Sequence, residues 1–398
     1  MQSKWFQWIL FVGLLASLMC FRCSKKKGVE PEPAITGPTT HSGWITQDET
    51  WYTAGNPHII EGTVYVDGGF NPTLTIESGV IVEFKPGGSL VIGEPYGQQA
   101  GTLIANGTGE KPIKFTSYED SPYPGAWGWI MFGSARGQYS VLNNCIIEYG
   151  GFLGGFFGVP TIYAICNSIS ITNCTIREGI GGGVWLGEVE SLIFEKNKIT
   201  ENYSYPISLS SIESAFKFTK DNDFSGNTEN RIWVADSQYV GSSGILPNMG
   251  LSYEIGFVYV YDHSLTIDPG CKLLFRERGE LSVAHVLVTD SGSVVAIGTP
   301  EQPIVFTSAS SSPQPGDWEG IHFYEASANS ILKYCVIEYG GLWFPYANID
   351  ITRTSPTITN NIIRNSKGWG IYIRSGSPVI ADNTFSNNPY GNIGHFGP

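Results

Sequence analysis

The sequence predicts an all-β protein, a single-stranded parallel β-helix of about 13–15 coils built from two tandem copies. Three observations lead to this prediction. Residues 74–79 (LTIESG) recur as residues 265–270 (LTIDPG), 191 positions later. A shorter repeat of 22–29 residues runs inside each copy. After residue 28 no stretch has the 3.6-residue periodicity of an amphipathic helix.

The long repeat divides the folded part of the chain into two copies. Residues 145–151 (CIIEYGG) return as 335–341 (CVIEYGG), and Trp127 returns as Trp318. The spacing hardly changes over the repeat, so the copies have few insertions relative to each other. We expect a first copy at residues 44–240 and a second at 241–398, stacked as one continuous solenoid because each coil contacts only its neighbours.

The short repeat consists of a polar or small residue followed two positions later by a large apolar one. Its first members are spaced 29, 23 and 25 residues in the first copy and 26 and 22 in the second. They are Cys145, Cys174, Asn197, Asn222, Cys335, Asn361 and Asn383. Residues between them alternate as in β-strands, and the 49 glycines and 23 prolines supply turns. A coil of three short strands and three turns fits this period.

Stacked coils place equivalent side chains in ladders about 4.8 Å apart. Asparagine suits a turn ladder because its amide both donates and accepts, and because it tolerates left-handed backbone angles. The inward stack would be Ile147, Ile176, Ile199 and Phe224. The alternative is a pair of β-sandwich domains, but a sandwich does not explain a period near 23 residues within each copy.

The repeated segments resemble those of bacterial right-handed parallel β-helix repeat proteins of the pectin-lyase-like superfamily. The similarity spans residues 44–398 and lies in LTIxxG, GTxxxPIxFTS, GxW and IEYGG. It implies a right-handed solenoid. Members include polysaccharide lyases, hydrolases, adhesins and surface proteins without assigned chemistry. The polygalacturonase segments NTD, DD, GHG and RxK, and the RxPxxR element of pectate lyases, are missing, with only Gly394-His395 resembling the histidine segment.

The N-terminus has the pattern of a targeting segment. Lys4 precedes an apolar stretch that ends before Cys20 and Cys23, and residues 24–43 read as a tether. A cysteine after the apolar stretch resembles a bacterial lipoprotein signal, although Met19 and Arg22 stand where a small residue is usual. Residues 1–23 therefore predict lipidation at Cys20 or Cys23, with simple signal cleavage or an uncleaved anchor as alternatives. We expect secretion across the inner membrane and an outer-membrane or cell-surface location.

Charge and cysteine content limit the partners. The net charge is −13, and removing residues 1–22 deletes Lys4 and Arg22 and gives −15. Such a surface repels nucleic acid and anionic lipid. We therefore expect a polysaccharide or an envelope protein as partner, no nucleic acid, and membrane contact only through a lipid anchor. No CxxC pair follows the signal region, so no metal and no cofactor is predicted. Cys145 and Cys174 are interpreted as small ladder residues, with a disulfide between adjacent coils as the alternative.

Asp317 and Glu319, with His322 three residues later, are the best candidates for catalysis. Residues i and i+2 of a strand share a face, and paired carboxylates are the groups that glycosidases use. The matching first-copy positions are Ala126, Gly128 and Met131, so the fold itself does not require these side chains. A solvated outer face is the simpler interpretation. Glu148 and Glu338 recur in both copies, which favours a structural role at a turn.

Aromatic loops follow the Tyr-Gly-Gly of each copy and are the predicted binding residues. They contribute Phe152, Phe156, Phe157, Trp343, Phe344 and Tyr346. Flat aromatic side chains can stack on sugar rings or contact a protein; loops that cover the flank of the solenoid are the alternative. We favour a surface-tethered, non-catalytic protein that binds glycan or protein. The alternative is a polysaccharide lyase or glycoside hydrolase with a site near Asp317 and Glu319, which gains weight if those carboxylates and the aromatics share a face.

The C-terminal end lacks the residues for another coil. Only residues 389–398 follow Asn388, and none of them forms an amphipathic helix. An open solenoid end exposes strand edges and core. We expect a thinly covered last coil with Phe396 or Tyr390 folded over it.

Overall fold

The computed structural model describes residues 37–397 apart from 94–99, 134–138, 154–157, 285–290 and positions 167, 188, 237, 326 and 328. These residues lie within one compact unit, Ile35–Pro398. The targeting segment, with Cys20 and Cys23, lies outside the described residues, as do Phe156 and Phe157. No helix in the described part is both long and apolar enough to cross a membrane.

The described chain contains 36 short strands and two short 3₁₀ helices, Thr53–Gly55 and Ile212–Lys217. In the first half the strands are β1 (Thr39–Ile45), β2 (Glu49–Trp51), β3 (His58–Val66), β4 (Thr73–Ile76), β5 (Ile81–Phe84), β6 (Ser89–Ile92), β7 (Thr102–Asn106), β8 (Ile113–Ser117), β9 (Ile130–Phe132), β10 (Ser140–Asn143), β11 (Cys145–Glu148), β12 (Ile162–Ala164), β13 (Ser168–Thr172), β14 (Thr175–Arg177), β15 (Val184–Leu186), β16 (Ser191–Glu195), β17 (Lys198–Thr200), β18 (Ile207–Leu209) and β19 (Arg231–Val234). In the second half they are β20 (Gln238–Tyr239), β21 (Gly244–Leu246), β22 (Ser252–Val260), β23 (Ser264–Ile267), β24 (Lys272–Val283), β25 (Ser293–Ile297), β26 (Ile304–Ser308), β27 (Gly320–Phe323), β28 (Ile331–Lys333), β29 (Cys335–Glu338), β30 (Ala347–Thr352), β31 (Thr357–Thr359), β32 (Ile362–Arg364), β33 (Trp369–Ser375), β34 (Val379–Ala381), β35 (Thr384–Ser386) and β36 (Gly391–His395).

The strands stack into long parallel ladders, as the repeat predicts. One 24-stranded sheet contains strands of both copies, and each copy adds a six-stranded sheet, β2 to β16 in the first and β21 to β34 in the second. In the first copy β9, β12, β15 and β18 pair in succession. In the second copy β24, β27, β30, β33 and β36 do the same. The predicted parallel β-helix is confirmed, and the β-sandwich alternative is wrong.

Inward-facing apolar residues fill the interior of the solenoid. Ile147, Ile176 and Ile199 stand in register on β11, β14 and β17, and each is fully buried. Phe224 extends the stack and is 3% exposed. Burying one such side chain stabilises the fold by about 1.5–3 kcal/mol. Because every coil adds several, the core is a continuous column.

The asparagine ladder is present and satisfies the buried backbone at one corner. Asn197 is fully buried, and its Oδ1 accepts from the amide of Cys174 at 3.0 Å. Its Nδ2 donates to the carbonyl of Ile171 at 2.8 Å and to Oδ1 of Asn222 at 3.1 Å. Residues just before ladder positions, such as Lys196 and Asn360, have positive φ, so the chain turns sharply there. The second copy repeats the arrangement between Asn361 and Asn383.

Cysteines occupy equivalent ladder positions as thiols. Cys145, Cys174 and Cys335 are 1% exposed, and the five described cysteines are free. Cys174 Sγ contacts the carbonyls of Leu142 and Thr172 at 3.4 and 3.2 Å. Burial raises the pKa of Cys335 to about 12, which leaves the thiol protonated at neutral pH. These residues are therefore small buried ladder members, as predicted, and the disulfide alternative is not formed.

Glu148 and Glu338 have the structural role that their recurrence predicts. Glu148 is 2% exposed and accepts from Thr116 at 3.0 Å, with Lys114 and Arg177 both at 2.8 Å. Burial opposes ionisation, but these cations and Thr116 outweigh it and lower the pKa of Glu148. Glu338 makes the matching contacts with Thr307 at 3.0 Å and Arg364 at 2.6 Å. Each glutamate therefore links its own coil to the adjacent coils through these hydrogen bonds and ion pairs.

The C-terminal end differs from expectation in one respect. The last residues form a strand, β36, that pairs in parallel with β33, because a single strand needs only a few residues and not a full coil. Phe396 is 64% exposed and does not fold over the end, so that part of the prediction is wrong. Tyr390 is 56% exposed and meets Trp369 and Tyr346 edge-on. Phe385 and Ile393 remain partly exposed, so the last coil is thinly covered.

Two contacting histidines, the buried His58 and the partly buried His41, stand at the opposite end. His41 stacks on Trp51 with ring centroids 4.2 Å apart. His58 donates through Nε2 to the carbonyl of Tyr52 at 2.8 Å, so its Nδ1 is left to accept from His41 at 3.0 Å. Burial, and then the neighbouring His58, lower the pKa of His41 from 6.5 to about 4. Burial also lowers the pKa of His58.

This pair makes stability depend on pH. Since the unfolded chain takes up protons near pH 6.5 while folded His41 resists until about pH 4, unfolding is favoured as pH falls through that window. We expect the thermal midpoint to fall between pH 6.5 and 4, and to fall less steeply in His41→Gln. The measurement is circular dichroism melting of both proteins across that range. Parallel pH profiles would show that His41 does not contribute.

Candidate functional site

One outer face of the second copy gathers charged residues from neighbouring coils. Ser282 of β24, His322 of β27, Asp350 of β30 and Tyr372 of β33 stand in register. Inward and outward side chains alternate along a strand, so these four point away from the core and stack about 4.8 Å apart. Glu280 is two residues before Ser282 and shares its face. Parallel pairing therefore converts residues far apart in sequence into one surface.

Four side chains at this face form what we call the carboxylate–histidine cluster: Glu280, Glu319, His322 and Asp350. One oxygen from each glutamate and one nitrogen of His322 lie within 4.8 Å of one another. Nε2 of His322 is 3.8 Å from Oε2 of Glu280, and its Nδ1 is 3.8 Å from Oδ2 of Asp350. Three carboxylates thus surround one imidazole.

Charge repulsion and burial shift the proton affinities of the cluster. Burial, and then the adjacent carboxylate of Glu280, raise the pKa of Glu319 to about 7. Burial by itself would lower the pKa of His322, but Asp350, Glu280 and Glu319 outweigh it and raise that pKa. These raised pKa values mean that the cluster favours binding of a proton or another cation at neutral pH. Aspartates and glutamates on an ordinary solvated face have no such preference.

The aromatic loop of the second copy, residues 342–346, lies beside this cluster. Trp343 donates through Nε1 to Oε1 of Glu319 at 3.0 Å while 57% of the residue stays exposed. Phe344 is 62% exposed and lies over the guanidinium of Arg374 at 5.4 Å. Arg374 in turn contacts both oxygens of Asp350, at 3.2 and 3.1 Å. The loop and the cluster therefore share one face.

Tyr346 anchors the end of the loop. Its ring meets Tyr390 edge-on at 6.3 Å, and the ammonium of Lys367 lies 5.2 Å from its centroid. Tyr372 adds an edge-on contact with Phe344 at 6.2 Å. The two most exposed rings of the loop are thus held in place by their neighbours: Trp343 by Glu319, and Phe344 by Arg374 and Tyr372.

The structure separates Asp317 from Glu319. Strand β27 begins only at Gly320, and Asp317 lies in the preceding turn, so the expected i, i+2 placement on a strand is wrong. Asp317 Oδ2 instead accepts from Ser308 Oγ at 2.7 Å and from the amide of Gln314 at 2.9 Å. Of the three predicted catalytic residues, only Glu319 and His322 come together.

The first-copy aromatics do not form an equivalent surface among the described residues. Phe152 is 39% exposed and packs against Trp129 with centroids 5.2 Å apart. Where the second copy has Glu280, Glu319 and His322, the first has Ser89, Gly128 and Met131. Asp350 has Tyr163 as its counterpart on β12. The charged site therefore belongs to the second copy.

Four residues of this face, Glu280, Asp350, Arg374 and Tyr372, are not predicted from the sequence. Glu280 precedes His322 by 42 positions and Asp350 follows it by 28, so spacing alone does not join them. The long repeat does contain a signal for them. When the two copies are aligned, charged residues of the second copy stand at positions where the first copy has small or apolar residues. Extending that comparison from Glu319 to the neighbouring coils would have found Glu280.

The fold and this outward-facing site together define a solenoid of the parallel β-helix class. A pectate-lyase-like beta helix domain matches residues 43–151 and 250–344, one stretch in each copy. A right-handed beta helix region matches residues 130–248 and 304–395. The chain belongs to the right-handed, pectate-lyase-like β-helix family. No curated protein and no solved structure gives a significant match to it.

Proposed function

We propose that the protein is a surface-tethered β-helix protein that binds glycan at the aromatic loop and the carboxylate–histidine cluster. The observation that carries this proposal is the bond from Trp343 Nε1 to Glu319 Oε1 at 3.0 Å. It fixes an exposed aromatic ring beside partly buried hydrogen-bonding groups. A sugar needs that combination, since its apolar face packs on a flat ring while its hydroxyls bind polar side chains.

The charges of the site select among glycans. Glu280, Glu319 and Asp350 face Arg374 and His322, so carboxylates outnumber the permanent cation. A polyanionic chain such as a uronan would be repelled, and the net charge of −13 adds to that repulsion. The preferred ligand is a neutral or amino-sugar polysaccharide.

The cellular location is part of the proposal. Residues 1–23 direct export, and lipid attached at Cys20 or Cys23 tethers the β-helix to the outer membrane or cell surface through residues 24–43. Intact-mass analysis of the membrane fraction tests this. A lipid-sized mass increase that disappears in Cys20→Ala or Cys23→Ala supports tethering, and an unmodified released protein contradicts it.

A second function, polysaccharide cleavage, is favoured by the presence of two carboxyl groups, those of Glu280 and Glu319, on one face. Glycoside hydrolases act with two carboxyl groups, one of which donates a proton to the leaving oxygen. Glu319, with its pKa raised to about 7, suits the donor role. Because both functions use the same face, retention and cleavage must be scored separately.

The binding prediction concerns Trp343 and Phe344. Trp343→Ala and Phe344→Ala should each weaken glycan retention about fivefold or more, since stacking of a flat ring on an exposed aromatic side chain contributes on the order of 1–3 kcal/mol in the platforms that bind single-stranded nucleic acid. Their unfolding midpoints should stay close to that of the parent chain. The measurement is affinity electrophoresis of the purified chain in a panel of neutral, amino-sugar and acidic polysaccharides, with reducing ends assayed in parallel.

Phe70→Ala is the matched control, because Phe70 is 95% exposed and lies in the first copy, outside this site. Retention lost equally in all three variants would contradict a specific platform. New reducing ends that disappear in Glu319→Gln would assign cleavage, whereas retention without new ends supports binding alone.

A further inference from the structure

We propose that Glu280, Glu319 and Nε2 of His322 bind a divalent metal ion of the zinc or manganese type. The three donor atoms already lie within 4.8 Å of one another. Tetrahedral ligands about 2.1 Å from a zinc ion are separated from each other by roughly 3.4 Å. Small rotations of the two glutamate side chains would bring the donor atoms to this separation.

The state of His322 is the second observation that favours a ligand here. Both ring nitrogens are inaccessible to solvent, and neither has a hydrogen-bond partner. A buried polar atom without a partner is costly and is normally satisfied in a native protein. The ring is directed at Glu280 through Nε2, at a separation of 3.8 Å that is too long for a hydrogen bond. A metal ion between Nε2 and the carboxylate of Glu280 would give Nε2 the partner that it lacks.

The surroundings have the form of a metal second shell. Metal-binding histidines usually direct their other nitrogen at a carboxylate, which fixes the ring. Nδ1 of His322 faces Asp350 at 3.8 Å, and Arg374 holds that carboxylate from the far side at 3.1 Å. Trp343 binds Glu319, so this ligand is held in place as well.

Glu280 has a supporting group too. The hydroxyl of Tyr259 lies against its carboxylate as a hydrogen-bond donor. Each of the three ligands is therefore positioned by a different neighbouring side chain. The first copy, built on the same scaffold, has Ser89, Gly128 and Met131 at these positions, so the coil does not need the ligands in order to fold.

The ligand set indicates the class of metal. One imidazole and two carboxylates suit zinc or manganese, whereas calcium prefers six to eight oxygen ligands. Three protein ligands leave coordination positions open on the side where Trp343 is exposed. This inference does not rest on the proposed glycan binding, although an open position beside the aromatic loop would suit a sugar hydroxyl.

The test is calorimetric titration of the chelator-treated, dialysed chain with Mn²⁺, Zn²⁺ and Ca²⁺ separately, together with the thermal midpoint at saturation. We expect one equivalent of Mn²⁺ or Zn²⁺ to bind, with Ca²⁺ at least tenfold weaker and the midpoint raised by the bound metal. Glu280→Gln and His322→Gln should each weaken binding at least a hundredfold. Asp350→Asn should weaken it about ten- to a hundredfold, as second-shell changes do.

Two controls separate this site from others. Glu301→Gln removes an exposed carboxylate elsewhere in the second copy and should bind like the parent. His41→Gln changes one member of the contacting pair His41 and His58 and should also leave binding unchanged. Melting curves of the metal-free variants verify folding. Failure of all three ions to bind, or binding that survives Glu280→Gln and His322→Gln, would overturn the proposal and leave His322 as an imidazolium held among carboxylates. No glycan is present, so this outcome leaves the glycan proposal standing.

Discussion

Replacing Trp318 with alanine is expected to lower the free energy of unfolding by about 3–5 kcal/mol, the range for large aromatic residues in well-packed cores. Trp318 is fully buried and stacks on Phe275 with ring centroids 4.2 Å apart. Its Nε1 donates to the carbonyl of Glu338 at 2.9 Å. The substitution therefore opens a cavity and leaves a buried carbonyl without its donor.

Urea denaturation followed by circular dichroism measures this loss. Trp44→Ala is the control, because Trp44 is 61% exposed and only stacks on Tyr65 at the surface. Trp127 makes the same contacts in the first copy, with Phe84 at 4.0 Å and the carbonyl of Glu148 at 2.9 Å. Trp127→Ala should thus cost a similar amount. A loss below about 1 kcal/mol for Trp318→Ala would contradict this account of the core.

Asn197→Leu is expected to cost about 1–3 kcal/mol, toward the upper end because several buried groups lose their partners at once. The leucine has the same branching and the same number of heavy atoms but cannot accept from the amide of Cys174 or donate to the carbonyl of Ile171. It also ends the side-chain contact with Asn222. The ladder therefore breaks within one coil while the apolar interior stays filled.

The same urea experiment on Asn106→Leu provides the comparison. Asn106 is exposed at the end of β7, and its Oδ1 only accepts from Asn143 at 2.7 Å. Its loss should change stability by no more than about 0.5 kcal/mol, as for ordinary surface positions. If Asn197→Leu behaved like Asn106→Leu, the ladder amides would not contribute net stability.

The carboxylate–histidine cluster was only half predictable. Glu319 and His322 are near in sequence, and their polarity stood out against Gly128 and Met131 in the first copy. The pairing of Asp317 with Glu319 requires a continuous strand, whereas the turn before Gly320 directs the side chain of Asp317 toward Ser308. Turn geometry depends on contacts with adjacent coils, which one coil's sequence does not contain.

The sequence by itself determined the architecture of this protein. In each coil a residue such as Cys145 or Asn197 is followed two positions later by a buried isoleucine. This repeat specifies the local backbone and the buried face of every coil. Coils of this kind bury their apolar faces by stacking, and the stacked structure is the parallel β-helix. Only the tertiary structure decided which charged groups meet. Glu280, His322 and Asp350 lie on three different coils, and their approach follows from the parallel register of β24, β27 and β30. The register of these strands is fixed by the packing of the buried face. The outward-facing residues are therefore brought together by the core, and nothing in the sequence around them indicates that they are in contact.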